Sequence, residues 1–166
     1  MNLLEVTGTD LELRLIEVGF KRFSIKEKNE LTKLLANRIN LAYTDITEDY
    51  IFNHAKKLKA DVLAAQCEEA ILKGFTASNG HTYRTNRDDQ VNMIGQYNFL
   101  SDDQSINEVA WKTVDEGYVM HSREEWLQVY AEAFTSKKEK LFRYDYLKKL
   151  VDNAKTDEEL VAVSWE

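Results

Sequence analysis

Three histidines, His54, His81 and His121, are the side chains best suited to proton transfer or metal ligation near neutral pH. None lies three or four residues from another or inside a cysteine-containing ligand pattern, so their spacing builds no zinc site. His81 and His121 hold related places in two similar segments, and only the fold could bring them together. The acidic pairs Asp88-Asp89, Asp102-Asp103 and Glu124-Glu125 offer ligand oxygens or acid and base partners, but adjacent side chains on a helix do not converge on one point. Two of these pairs fall where first helical turns are expected, and there carboxylates offset the helix dipole. Chemistry on a surface polymer would need Asp89, Asp103 and Glu125 in one cleft. The single cysteine, Cys67, sits in the alanine-rich stretch AAQCEEA and reads as a buried structural thiol. A phosphate-cradling glycine loop, a nucleophile elbow and a calcium loop are all missing. The expectation is a non-enzymatic chain with no catalytic residue, no metal ligand and no cofactor.

Charge and composition narrow the partners. The chain has 22 Lys and Arg against 29 Asp and Glu, a net charge of −7, with both signs mixed along its length. Phosphate neutralisation supplies most nucleic-acid affinity and leaves a basic face, so nucleic acid is an unfavoured partner. Apolar runs are only a few residues long, far short of the roughly 20 that span a bilayer, and MNLLEVTGTD has no basic region before an apolar stretch. No membrane span and no signal peptide are expected. With 43% hydrophobic residues, 166 residues suffice for one folded domain, or one domain with a helical extension.

The elements that would position these side chains are read without proline, which is absent, so glycines and capping residues mark the breaks. The alternation of Leu11, Leu13 and Leu15, which slips at Ile16, predicts a short strand over 11–18, with the start of a helix as the alternative. Ser24 and Glu27 form a capping box that opens a helix over about 25–41. A longer helix is predicted from Thr47 to Lys73, closed by Gly74. Along it Ile51, Leu58, Ala65 and Leu72 recur every seven residues with Val62 between them, a candidate interface. That seam suits a homotrimer rather than a dimer, and packing within the chain fits it equally well.

From Gly74 onward two strand–turn–strand segments appear, each followed by a helix. In the first, Ser78-Asn79-Gly80 turns the chain and Asn86 caps the helix. In the second, Asp115-Glu116-Gly117 turns it and Ser122 with Glu125 opens a helix that pauses near Thr135-Ser136 and continues to Val151. Thr156 with Glu159 opens a last short turn, and Trp165 anchors the end. The predicted class is α+β: a helical N-terminal part, then two hairpin–helix units forming one small antiparallel sheet packed by helices. Tyr83, Trp111 and Tyr118 fall on the hairpins, as cross-strand packing or as an aromatic surface for a partner.

The segment GFTASNGHTYRTNRDDQVN, the later Trp111, the His121-Ser122-Arg123 turn and the closing AKTDEELVAVSW together resemble the family known as domain of unknown function 4376, over roughly residues 59–165. The resemblance implies a bacteriophage or prophage protein of the tail region, with no catalytic residues carried over. It divides the chain into a docking or adaptor region over 1–58 and a hairpin–helix domain over 59–166. The function so implied is a structural or adaptor protein of the tail, baseplate or host-attachment apparatus. Its partners would be other tail, baseplate or fibre proteins, and it would reside in the virion after synthesis in the host cytoplasm. The alternative is a tail-fibre assembly chaperone absent from the finished particle.

Overall fold

A computed structural model describes residues 2–165. Seven α-helices and two short hairpins follow one another among these residues: α1 (Leu3–Thr7), α2 (Asp10–Val18), α3 (Ile25–Ile39), α4 (Glu48–Lys73), β1 (Phe75–Thr76), β2 (Thr82–Tyr83), α5 (Arg87–Asp102), β3 (Glu108–Thr113), β4 (Gly117–Ser122), α6 (Arg123–Asn153) and α7 (Asp157–Ala162). The class is α+β, as the patterning predicts.

The chain forms two compact units, residues 1–66 with 143–166 and residues 67–142. The expected boundary between 58 and 59 falls inside α4, which runs unbroken across it. A C-terminal segment assigned by sequence to the second domain instead belongs with the N-terminal helices, because Leu147, Val151, Leu160 and Val163 join the same core as Leu15, Leu31 and Leu35.

Helix α2 replaces the strand predicted over 11–18. Thr9 caps it by accepting from the Glu12 amide, and Leu15 and Ile16 are buried while Leu11 packs against the same core. Adjacent burial at Leu15 and Ile16 fits a helical stripe, and the slip of alternation there was the sign that period two does not hold. Helix α3 carries the full Ser24–Glu27 capping box and ends at Asn40 in the left-handed region, φ 54°. Ile51, Leu58 and Val62 of the heptad seam are core residues of this unit. Their burial overturns the use of that stripe as a trimer interface.

The end of the chain is held by Arg143, whose Nε donates to the Trp165 carbonyl at 2.7 Å and whose guanidinium lies 5.6 Å from the Trp165 ring. Glycine matters at Gly74, which closes α4 with φ 102° and where a Cβ would be driven into the Tyr83 carbonyl oxygen.

In the second unit the hairpins form two separate two-stranded sheets instead of the single sheet expected. They meet at their turns: the Val114 amide donates to Thr82 O at 2.8 Å, and the Thr82 amide donates to Asp115 Oδ1 at 2.8 Å. The first ladder is only two residues long, too short to extend sideways into a common sheet. Helix α6 is continuous where a pause was expected, since Thr135 and Ser136 sit in its middle without breaking it. The core of this unit gathers Tyr83, Met93, Leu100, Val109, Trp126 and Val129.

Candidate functional site

The titratable side chains singled out by sequence divide among several places. His54 belongs to the first unit, where its Nε2 lies 2.7 Å from the Glu12 carboxylate. Glu12 is fully buried and also accepts from Arg38 through both oxygens, at 2.6 and 3.1 Å, and from the Thr9 hydroxyl at 2.8 Å. Burial pushes the Glu12 carboxyl up, and the bonds from Arg38, His54 and Thr9 outweigh it, so its affinity for a proton ends below the ordinary value. All the acceptor capacity is used inside the fold, which makes this a structural ion cluster.

His81 and His121 do come together, with ring centroids 6.3 Å apart. The His121 Nδ1 lies 3.0 Å from Val119 O and its Nε2 lies 2.6 Å from the Tyr83 hydroxyl. A proton on Nδ1, donated to the carbonyl, leaves Nε2 to accept from Tyr83. Asn79 completes the chain, its amide donating to Tyr83 at 2.8 Å and to Glu125 at 3.0 Å. Burial, opposed by the Asn79 bond, raises the Tyr83 phenol above its usual value and keeps it protonated. His81 donates from Nδ1 to Asp115 Oδ2 at 2.7 Å. That bond holds Asp115 down to about 2 and moves His81 up. Ser78 adds two bonds to Glu132 of α6, at 2.8 Å from its amide and 2.6 Å from its hydroxyl. Together these contacts tie the first turn to α6 and the second turn to the first hairpin.

His81, Asp115 and Glu116 place ligand atoms within 4.8 Å of one another, the one such grouping among the described residues. They are the residues that could hold a divalent cation, although His81 and Asp115 already satisfy each other and both carboxylates face solvent. Asp89, Asp103 and Glu125 do not form such a group. Asp89 meets Arg84, Asp103 accepts from the Ser105 amide and hydroxyl, and Glu125 accepts from Asn79. Cys67 is buried, and burial raises its thiol above the ordinary value, away from nucleophilic character.

Of the proposed aromatic surface, Tyr83 is wholly buried and Trp111 packs edge-on to Trp126 at 5.3 Å, so these two are interior packing. Tyr118 is 77% exposed and alone keeps a surface position. The intermediate exposure of Ala65 and Leu72 likewise leaves no open seam along α4.

The feature with the shape of a binding site lies elsewhere in the second unit. A groove of about 360 Å³ runs between α5 and α6, lined by Met93 and Ile94 on one side and Tyr130, Phe134, Leu141 and Phe142 on the other. Ile94 is 52% exposed, Phe134 65% and Phe142 64%. Large apolar side chains left in solvent around a concavity mark an interaction surface. The floor is fixed by stacking of Tyr97 on Tyr130 at 4.7 Å and of Tyr130 on Trp126 at 5.8 Å. None of its lining residues belongs to the histidine network.

Motifs and element ends do not announce this groove, because it depends on a broad apolar surface of α6. Trp126 and Val129 are buried in the core, Tyr130 and Ala133 both pack on that core and line the groove, and Phe134 and Leu141 continue the groove outward. The signal was the width of the apolar pattern, broader than one core contact uses.

The model of the family described as domain of unknown function (DUF4376) matches residues 54–164. The chain belongs to that family. The matched DUF4376 region contains both hairpins, the whole groove and α6, and it begins within α4. No curated protein and no solved structure matches the chain. No helix among the described residues is long and apolar enough to cross a membrane.

Proposed function

We propose that this protein is a non-enzymatic adaptor that docks a partner protein in the groove between α5 and α6, within the tail, baseplate or fibre apparatus of a bacteriophage. The exposed Ile94, Phe134 and Phe142 around a concavity carry the docking part of this reading. The tail context comes from the family resemblance. The docking surface lies in residues 67–142, since the apolar stripe of the N-terminal helices is turned into their own core.

Mass spectrometry of purified particles from a phage encoding the chain tests the structural role. The polypeptide should be present at a fixed ratio to tail components, and Phe134→Asp should deplete it from particles while leaving its soluble level unchanged. Absence of the wild-type chain from particles would end that role.

A second reading, a fibre-assembly chaperone, is favoured by the same open groove, since a half-open apolar surface suits transient hold of a nascent chain. Co-expression separates the two. A chaperone raises soluble fibre yield and leaves mature particles, whereas an adaptor stays.

A further inference from the structure

We infer that the occupant of the α5–α6 groove is an acidic amphipathic helix, a segment with one apolar stripe flanked by Asp and Glu. This rests on the reading of the groove as a protein-docking site and names its partner's chemistry. Tyr130, Phe134, Lys137 and Leu141 recur at four- and three-residue steps along one side of α6. At 1.5 Å per residue the stripe is about 16 Å long, or three turns of a partner helix. The apolar exposure also extends past the groove to Val91 on α5, beyond what a compact small molecule would cover.

Charge decides the sign of the partner. The groove is lined by Lys137, Lys138 and Lys140 and by no carboxylate, in a chain whose net charge is −7. Among the described residues Lys137 and Lys138 enter no ion pair, while Lys140 is partly buried and feels the neighbouring Glu139. Lys137 donates to Gln90 Oε1 at 2.6 Å, Lys140 to Gly74 O and Ser136 Oγ at 3.1 Å each, and Lys138 sits 5.4 Å from the Phe142 ring. A local positive rim on an acidic protein steers and registers a negative ligand and repels a basic one. An apolar stripe bordered by acids is the helix-in-groove partner that satisfies both the rim and the floor.

Fluorescence anisotropy with the full chain tests this, using two labelled helical peptides that share one leucine stripe and differ in carrying Glu or Lys beside it. Vesicles of phosphatidylglycerol serve as a third probe. The Glu peptide should bind, and the Lys peptide should bind about ten-fold more weakly, the sum of a few solvent-screened pairs. Lys137→Glu with Lys138→Glu should reverse that preference. Phe134→Asp should abolish binding of both, with circular dichroism confirming the fold. Equal binding of the two peptides overturns the acidic partner and keeps the groove. Loss of all peptide binding, or binding unaffected by Phe134→Asp, overturns the groove reading itself. Capture by the vesicles in place of the Glu peptide would replace the helix with an anionic membrane surface.

Discussion

The two units use their apolar residues differently. Residues 1–66 with 143–166 turn the heptad stripe of α4 inward, where Ile51, Leu58 and Val62 meet Leu15, Leu31 and Val151. Residues 67–142 have a smaller core around Tyr83 and Trp126 and leave a second stripe of α6 open to solvent. The first unit also exposes Ile25 and Leu41, but its own concavity is bordered by Glu17, Lys59 and Gln66 and does not include them. In the second unit the apolar exposure coincides with a groove. Regular heptad spacing identifies only a helix that needs something to pack on, and here the chain itself provides it.

Trp126→Ala should have the largest effect on this division. Deleting a fully buried indole removes about 4 kcal/mol. Hydrogen exchange should show loss of protection concentrated in 67–142, and equal loss in both units would break the distinction between them. Arg38→Ala makes the converse change in the first unit. It leaves the buried Glu12 carboxylate with only His54 and Thr9 and should cost about 3 kcal/mol by denaturant titration. Gly74→Ala strains the end of α4 and pushes a methyl group toward the Tyr83 backbone, with an expected loss of about 2 kcal/mol.

Those elements show how far the sequence could be followed. Ser24, Asn86 and Gly74 mark element ends correctly because capping is local chemistry, decided within a few residues. The pseudo-repeat was legible for the same reason: Gly80 and Gly117 both have positive φ, at 90° and 81°. The strand expected over 11–18 failed because Leu11, Leu13 and Leu15 fit either period, and only packing against α3, α4 and α7 decides for a helix. The joining of 143–166 to the N-terminal helices is a long-range pairing that no local motif announces. The groove was hidden because exposure, unlike periodicity, depends on which of two neighbouring stripes the rest of the chain covers.

Smaller effects sharpen the comparison. Ile94→Asp should leave stability within about 0.5 kcal/mol, since the side chain is half exposed, while an equivalent change at Leu31 in the first core should unfold it. Thermal melts of the two variants check this.

The His81–Asp115 contact predicts a pH dependence confined to the hairpin turns. His81 has a raised proton affinity, so its contribution is complete below its ordinary value and fades as pH rises through the higher folded value. Asp115 is lowered, so its contribution is present above its ordinary value and is lost as pH falls toward about 2. The contact is therefore strongest between about pH 4 and 6.5. Ring resonances of His81 followed by NMR should titrate above the ordinary histidine midpoint, and Asp115→Asn should return them toward it.

Site-specific photo-crosslinking tests the docking claim most directly. A photoreactive phenylalanine analogue placed at Phe134 and, separately, at Ile25 compares the most exposed large apolar residue of the groove with that of the first unit. During phage production the label at position 134 should join the chain to one tail, baseplate or fibre polypeptide, and the label at position 25 should not. Crosslinks from position 25 with none from position 134 would contradict a docking surface in the groove.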